Sequence, residues 1–379
     1  MKPVLFVTGH APPDRTLPFL RLHEREDVRY ALFGGRLAHG PASGEGGERG
    51  AGGFPFPHKE VPEREVLALA ASGRYRAVVV GTTGRVALPA AWAGARSARV
   101  PLLLWSALWA HPRSVAHAAS WVGLRRLYRS ADAVVAYGPH VSAYVRARGA
   151  RNVHVAPQAV DNGFWGGPAS TASAAGSWGV ERAVRFLFVG RPVWEKGLQV
   201  LLPAWRASGL AVPAAALVLV GVRSTPPWVS TGGAVALSGA HRAPDRAAGR
   251  FVGPVPAEQL RNFYASADVL VMPSVRTATF REPWGLVSNE AMNQHVPVIA
   301  SDEVGAAAGG LVVHERNGLV VPAGDVGALA GALRRLAGDA ALRERLGAAA
   351  ARDVAAYTPE AWAEGFSAAL RSVGRARGR

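Results

Sequence analysis

The chain contains no cysteine, which excludes disulfide staples, thiolate metal centres and a cysteine nucleophile. Lysine is nearly absent too: Lys2, Lys59 and Lys196 stand against 40 arginines. No stretch approaches the ~20 apolar residues of a membrane span. The opening run, Met1-Lys2-Pro3-Val4-Leu5-Phe6-Val7-Thr8-Gly9-His10, is too short for a secretory signal and reads as a first strand. A cytoplasmic protein is therefore expected. Nucleic-acid recognition signatures are missing as well, with neither zinc-finger spacing nor an RNP-like aromatic motif, so no nucleic-acid partner is expected.

What is present suits a two-domain enzyme-sized fold. A length of 379 residues at 49% hydrophobic content can bury two cores. Strand-like runs recur at residues 4–7, 28–33, 77–80, 100–105 and 133–137, with helical or loop segments between them. A second series follows at 186–189, 216–220, 250–252, 269–272 and 298–300. Such alternation predicts parallel sheets covered on both faces, α/β and doubly wound. The small-residue stretch 163–179 between the two series reads as an interdomain linker. Domains are accordingly expected over 1–165 and 166–356, and an amphipathic pattern within 357–379 predicts a helix packing back on the first domain. Residues 40–57, dense in glycine and proline, read as a mobile surface loop.

Two segments carry the chemistry. The stretch R-E-P-W-G-L-V-S-N-E-A-M at 281–292 follows a strand-like run and a Pro273-Ser274 break, so Glu282 is expected in a loop at a strand's carboxyl end and Glu290 inside the next helix. A helix starting near Gly285 would offer backbone N–H groups at Gly285, Leu286 and Val287 to a phosphate. A sugar diphosphate would then be held by both ends, with Glu282 on sugar hydroxyls and Glu290 on a ribose diol. The alternative is two solvated charges beside an ordinary helix start. Upstream, the strand run 185–189 leads into Gly190-Arg191-Pro192-Val193-Trp194-Glu195-Lys196-Gly197. Glycine at the strand end permits a tight turn, and Arg191 and Lys196 can converge on phosphate oxygens. In a chain that otherwise takes arginine, the retained Lys196 points to a need for a compact ammonium.

The pattern G-R-x-x-x-x-K-G with E-x7-E, followed by Pro297-Val298-Ile299-Ala300-Ser301-Asp302 and Asn317-Gly318-Leu319-Val320-Val321-Pro322-Ala323-Gly324-Asp325, resembles the donor-binding half of the retaining GT-B glycosyltransferases of family 4. The resemblance covers residues 186–336 closely. It implies two Rossmann-like domains facing each other across a cleft, with Arg191 and Lys196 on the nucleotide diphosphate, Glu282 on the transferred sugar and Glu290 on the ribose. It further implies that a nucleotide sugar, UDP-linked before GDP-linked, gives its hexose to a hydroxyl acceptor: a lipid-linked glycan, a cell-surface polymer or a small metabolite. Gly9 stands in the reduced first glycine loop, Thr8-Gly9-His10-Ala11-Pro12-Pro13. His111 is the candidate for the first-domain histidine that relatives aim at the donor sugar, unless it caps the helix after Pro112. His10 is the candidate acceptor contact. None of the ten aspartates has D-x-D spacing, so neither metal nor cofactor is expected, and the diphosphate charge falls to protein groups. This chain departs from the family at Gly305-Ala306-Ala307-Ala308-Gly309-Gly310, which lacks the usual acid, and at Pro157-Gln158-Ala159-Val160-Asp161.

The net charge is +16, and residues 1–166 hold 21 Lys+Arg against 11 Asp+Glu. Part of that excess lies around Trp121, Leu124, Arg125, Arg126 and Arg129. Such a helix suits peripheral contact with an anionic membrane or an ordinary solvated face. Two other functions fit parts of the pattern: a nucleotide-sugar epimerase on the same fold, and a non-catalytic nucleotide-sugar or polyanion binder.

Overall fold

The computed structural model describes all residues except 35–53, 83, 85, 172–177, 179–182, 230–248 and 377–379. The chain divides into two compact units. The first comprises Met1–Gly40, Glu48–Asp161 and Tyr357–Arg379; the second comprises Asn162–Ala356, together with Pro41–Gly47, which lie outside the described residues.

In the first unit seven strands form one parallel sheet: β1 Val4–Thr8, β2 Val28–Leu32, β3 His58–Glu60, β4 Ala77–Gly81, β5 Leu102–Ser106, β6 Ala133–Ala136 and β7 Val153–Val155. Their order is β3-β2-β1-β4-β5-β6-β7. The central strands read VLFVT, AVVVG and LLLWS, buried at every position. Unbroken apolar runs of this kind suit strands covered on both faces, where an alternating pattern would bury polar groups. The helix Thr16–Glu26 and the C-terminal helix Pro359–Ala376 cover one face. Trp362, Phe366, Leu370 and Val373 recur at helical spacing and all lie buried in that core, which is why the last segment folds onto this unit. Arg21–Glu360 at 2.8 Å and Arg25–Glu364 at 2.7 Å flank the contact. Being exposed, they contribute little beside the apolar stripe.

Most of the glycine-rich loop expected at 40–57 falls outside the described residues. Its end departs from the expectation. Phe56 is buried, its ring 5.7 Å from Phe19 and 4.8 Å from Tyr30, because two aromatic residues at the tail of a polar loop gain more from the core than from water.

The second unit holds six parallel strands: β8 Val184–Val189, β9 Ala215–Val220, β10 Arg250–Val252, β11 Val269–Met272, β12 Val298–Ser301 and β13 Gly318–Val321. Their order is β10-β9-β8-β11-β12-β13, so the winding direction reverses between β8 and β11. The division between units falls at Asp161 and Asn162, and the stretch read as a linker is partly built into the second unit. A short helix spans Asn162–Trp165, and the Phe164 carbonyl accepts from Arg261 at 3.0 Å. Trp178 is 1% exposed, and its indole N–H donates to Ser266 Oγ at 2.9 Å. A small-residue average over the window conceals the buried Trp178. No helix among the described residues is long and apolar enough to cross a membrane.

Candidate functional site

At the carboxyl end of β8 the chain makes a 3-10 turn, Trp194–Lys196, and Gly197 at φ +77° passes it into the helix Leu198–Ser208. A Cβ on Gly197 would lie 1.9 Å from the Pro273 carbonyl oxygen. The turn therefore rests directly on the first residue beyond β11, and only glycine allows both the left-handed backbone and the approach. The Val275 N–H donates to the Glu195 carbonyl at 2.9 Å, so the two loops are joined by backbone. These loops leave the neighbouring strands at which the winding reverses, the position where doubly wound sheets open a ligand crevice. Gly190, expected to supply the tight turn, is not among the left-handed glycines. That role belongs to Gly197.

The joined loops bring Lys196 and Glu282 together. Glu282 is only 6% exposed, and Lys196 Nζ donates to its Oε2 at 2.6 Å. Ser274 Oγ donates to the same oxygen at 3.3 Å, and the Ser274 carbonyl accepts from Ser301 Oγ at 2.5 Å. The Glu282 backbone is pinned as well, its carbonyl accepting from the Gly305 N–H at 3.1 Å. On one side Arg281 pairs with Glu303. A carboxylate this deep must be paired, since leaving it alone would cost several kcal/mol. The sequence reading gave Lys196 and Glu282 separate tasks; the structure makes them one charge pair. Arg191 is partly exposed on the same loop, and its carbonyl accepts from the Val193 N–H at 2.9 Å.

Beyond Glu282 the chain turns through Gly285 at φ +94°. The following helix spans Val287–Met292, starting two residues later than expected. Gly285 is the reason, because its left-handed φ lies outside the helical region; the Ser288 N–H and hydroxyl both donate to its carbonyl, at 3.0 and 2.7 Å. Trp284 closes the turn, its indole N–H donating to the buried Asn289 Oδ1 at 2.8 Å. A six-residue helix has a small dipole. The dipole of so short a helix contributes little to any anion site at this turn. Glu290 lies within the helix, and its Oε2 accepts from the Tyr264 hydroxyl at 2.7 Å. Tyr264 is fully buried in the helix Ala257–Ser266. Burial, and then the adjacent Glu290, holds its hydroxyl well above the usual tyrosine range, so it remains a donor at working pH.

The remaining candidates belong to the first unit. Gly9 follows β1, and its carbonyl accepts from the Gly34 N–H at 2.6 Å. A Cβ on Gly9 would meet only the Phe33 ring at 3.9 Å, an ordinary contact. His10 is partly buried beside it. His111 does not cap the helix Val115–Ser130; Ser114 does, accepting from the His117 N–H at 3.3 Å. Instead His111 Nε2 lies 2.8 Å from the His117 carbonyl, while its Nδ1 is buried without a protein partner among the described residues. Gln158, where this chain departs from the family pattern, is fully buried and accepts from Arg15, whose guanidinium lies 5.5 Å from the Trp105 ring. Ser274 and Tyr264 were not singled out from sequence. Ser274 read only as a strand break, and nothing in the spacing of Tyr264 linked it to Glu290. Among the described residues no cluster of three metal-ligating side chains occurs.

With this geometry in view the similarities are specific. The family described as glycosyl transferases group 1 matches residues 183–339. That segment is similar to the family over about two fifths of the chain. Its sequence relatives include D-inositol 3-phosphate glycosyltransferases of Streptomyces avermitilis, 38% identical over 130 residues, and Streptomyces coelicolor, 40% over 136. The matched segments cover 32% and 33% of this chain but 26% and 27% of those proteins. The chain thus spans about a quarter of the length of the curated relatives it matches. Solved structures match almost end to end. Sucrose-phosphate synthase from Thermosynechococcus elongatus aligns over 99% of this chain and 100% of its own, at TM-score 0.69 and 21% identity. Anabaena HepE in complex with UDP aligns over 98% and 100%, at TM-score 0.71 and 18% identity. At such identity the likeness speaks for the fold, which is that of the GT-B glycosyltransferases. The matched segment contains both motif loops.

The close approach of the two loops yields a prediction. Gly197→Ala should destabilise the protein by roughly 2 kcal/mol or more, through a strained φ and a clash with Pro273. Urea unfolding checks this, and a loss below about 0.5 kcal/mol would show that the loops do not depend on the contact.

Proposed function

We propose that the protein is a retaining, metal-independent glycosyltransferase that moves a hexose-type sugar from a nucleoside diphosphate sugar to a hydroxyl acceptor. The observation that carries this reading is the pairing of half-buried Lys196 with buried Glu282 at 2.6 Å, placed where β8 and β11 diverge, with Arg191 on the same loop and Glu290 in the helix that follows. Arg191, Lys196 and the amides at Gly285–Val287 would offset charge on the departing diphosphate, a task for preorganised donors. Glu282 would hold sugar hydroxyls, and Glu290 the ribose diol. As the diphosphate leaves, the sugar becomes oxocarbenium-like. With attack from the same face, the leaving phosphate oxygen takes the acceptor's proton and no dedicated base is needed. His111 would meet the donor sugar and His10 the acceptor, with Gly9 beside the donor.

A UDP-sugar is the favoured donor and a GDP-sugar the next, since Anabaena HepE was solved with UDP and with UDP-glucose. Among the three acceptor classes, the inositol phosphate in the relatives' names favours a small hydroxylated metabolite. A second proposal concerns the first unit. Trp121 and Val122 are 39% and 68% exposed on the helix Val115–Ser130, with the Arg125 guanidinium 5.3 Å from the Trp121 ring. Apolar groups beside arginines fit peripheral contact with an anionic membrane.

Two experiments test these readings. Incubation with a panel of nucleotide sugars should release nucleoside diphosphate slowly and equally with and without EDTA. In the same assay Lys196→Ala should lower turnover by roughly 10²–10³, and turnover within twofold of the parent would refute its role. For the membrane, the protein should sediment with phosphatidylglycerol vesicles and not with phosphatidylcholine vesicles, and should lose that binding on Trp121→Ala with Arg125→Ala. Equal partition between the two vesicle types would exclude a charge-driven contact.

A further inference from the structure

Both glutamates of the site are buried or half-buried acceptors, yet they are held by different chemistry. Glu282 is paired with an ammonium, which a bound diphosphate can also engage. Glu290 accepts from a neutral hydroxyl, which has no charge to offer a phosphate. The Tyr264 hydroxyl donates to Glu290 Oε2 at 2.7 Å. The ring itself has no freedom: it is fully buried, and the Trp165 ring meets it at 5.7 Å and 73°, edge to face. Trp165 is in turn fixed through its carbonyl, which accepts from Gln294. A rigid phenol thus grips one oxygen of a carboxylate that stands on a six-residue helix.

We infer that Tyr264 is the positioning residue for ribose recognition. It fixes the Glu290 carboxylate in the rotamer that meets a vicinal diol, and so sets the preference for ribonucleotides over deoxyribonucleotides. This rests on the proposed role of Glu290. A carboxylate that must accept from two adjacent hydroxyls needs its plane and its rotamer set in advance. A phenol can do so without introducing a cation that would compete for the carboxylate when the nucleotide arrives. The hydroxyl also stays protonated across the working pH range, as burial beside Glu290 requires. Its grip is therefore constant where a histidine's would titrate.

The test titrates the full chain with UDP and 2′-deoxy-UDP, and with GDP and 2′-deoxy-GDP, and reads the ratio of dissociation constants for the tighter base. The parent should prefer the ribonucleotide by about tenfold, the scale of a hydrogen bond to a charged group. Glu290→Gln should flatten the preference. Tyr264→Phe, which removes one oxygen and keeps the packed ring, should reduce it to about threefold or less while ribonucleotide turnover falls through KM more than through kcat. If Tyr264→Phe keeps the parent's preference, or weakens both nucleotides equally, Tyr264 is a packing residue and the inference is overturned, with the donor site intact. If the parent shows no preference, or Glu290→Gln retains it, Glu290 is not the ribose ligand, and the inference falls together with that assignment.

Discussion

A buried carboxylate is the constraint on which the loop geometry of the second unit depends. Glu282 is removed from water and cannot remain charged there without a partner. Lys196 is that partner, with Ser274 giving a second, longer contact. To meet Glu282, Lys196 must come from a different strand, so the β8 and β11 loops have to be held together more closely than side chains usually permit. The glycine at 197, resting on Pro273, and the bond between Val275 and Glu195 accomplish this. The charge pair, the glycine and the backbone bond are thus parts of one solution.

The same arrangement explains why the only lysine in the second unit stands at 196. An arginine carries its charge over a planar fork that prefers two parallel acceptors. The Glu282 oxygen accepts from both Lys196 and Ser274, a single-point contact that a compact ammonium meets.

Much of this was legible in the chain. The continuous apolar strands announced two parallel sheets, and the placement of Glu282 after β11 and of Lys196 after β8 followed from the strand runs and the Pro273-Ser274 break. Motif resemblance supplied roles that spacing alone left open. What could not be read were contacts between segments far apart in sequence. Nothing near 196 marks its pairing with 282, and nothing in the helix Ala257–Ser266 marks Tyr264 as the partner of Glu290. The helix start also slipped from Gly285 to Val287, because Gly285 takes a left-handed turn, a local choice that hydrophobic periodicity does not register. Residues 163–179 misread for a further reason, since composition averaged over a window hid Trp178.

The central claim is that Lys196 and Glu282 act as one unit in the folded protein, before any ligand binds. A double-mutant cycle on stability tests it most directly, using Lys196→Met, Glu282→Leu and the double variant, each unfolded in urea without nucleotide. If the pair is coupled, Lys196→Met strands a buried carboxylate and Glu282→Leu leaves a half-buried ammonium unpaired, and the double variant should be more stable than the two single losses added together predict, by at least about 1 kcal/mol. Losses that add to within about 0.5 kcal/mol would mean the two residues do not sense each other, and the pair could not be what organises the site.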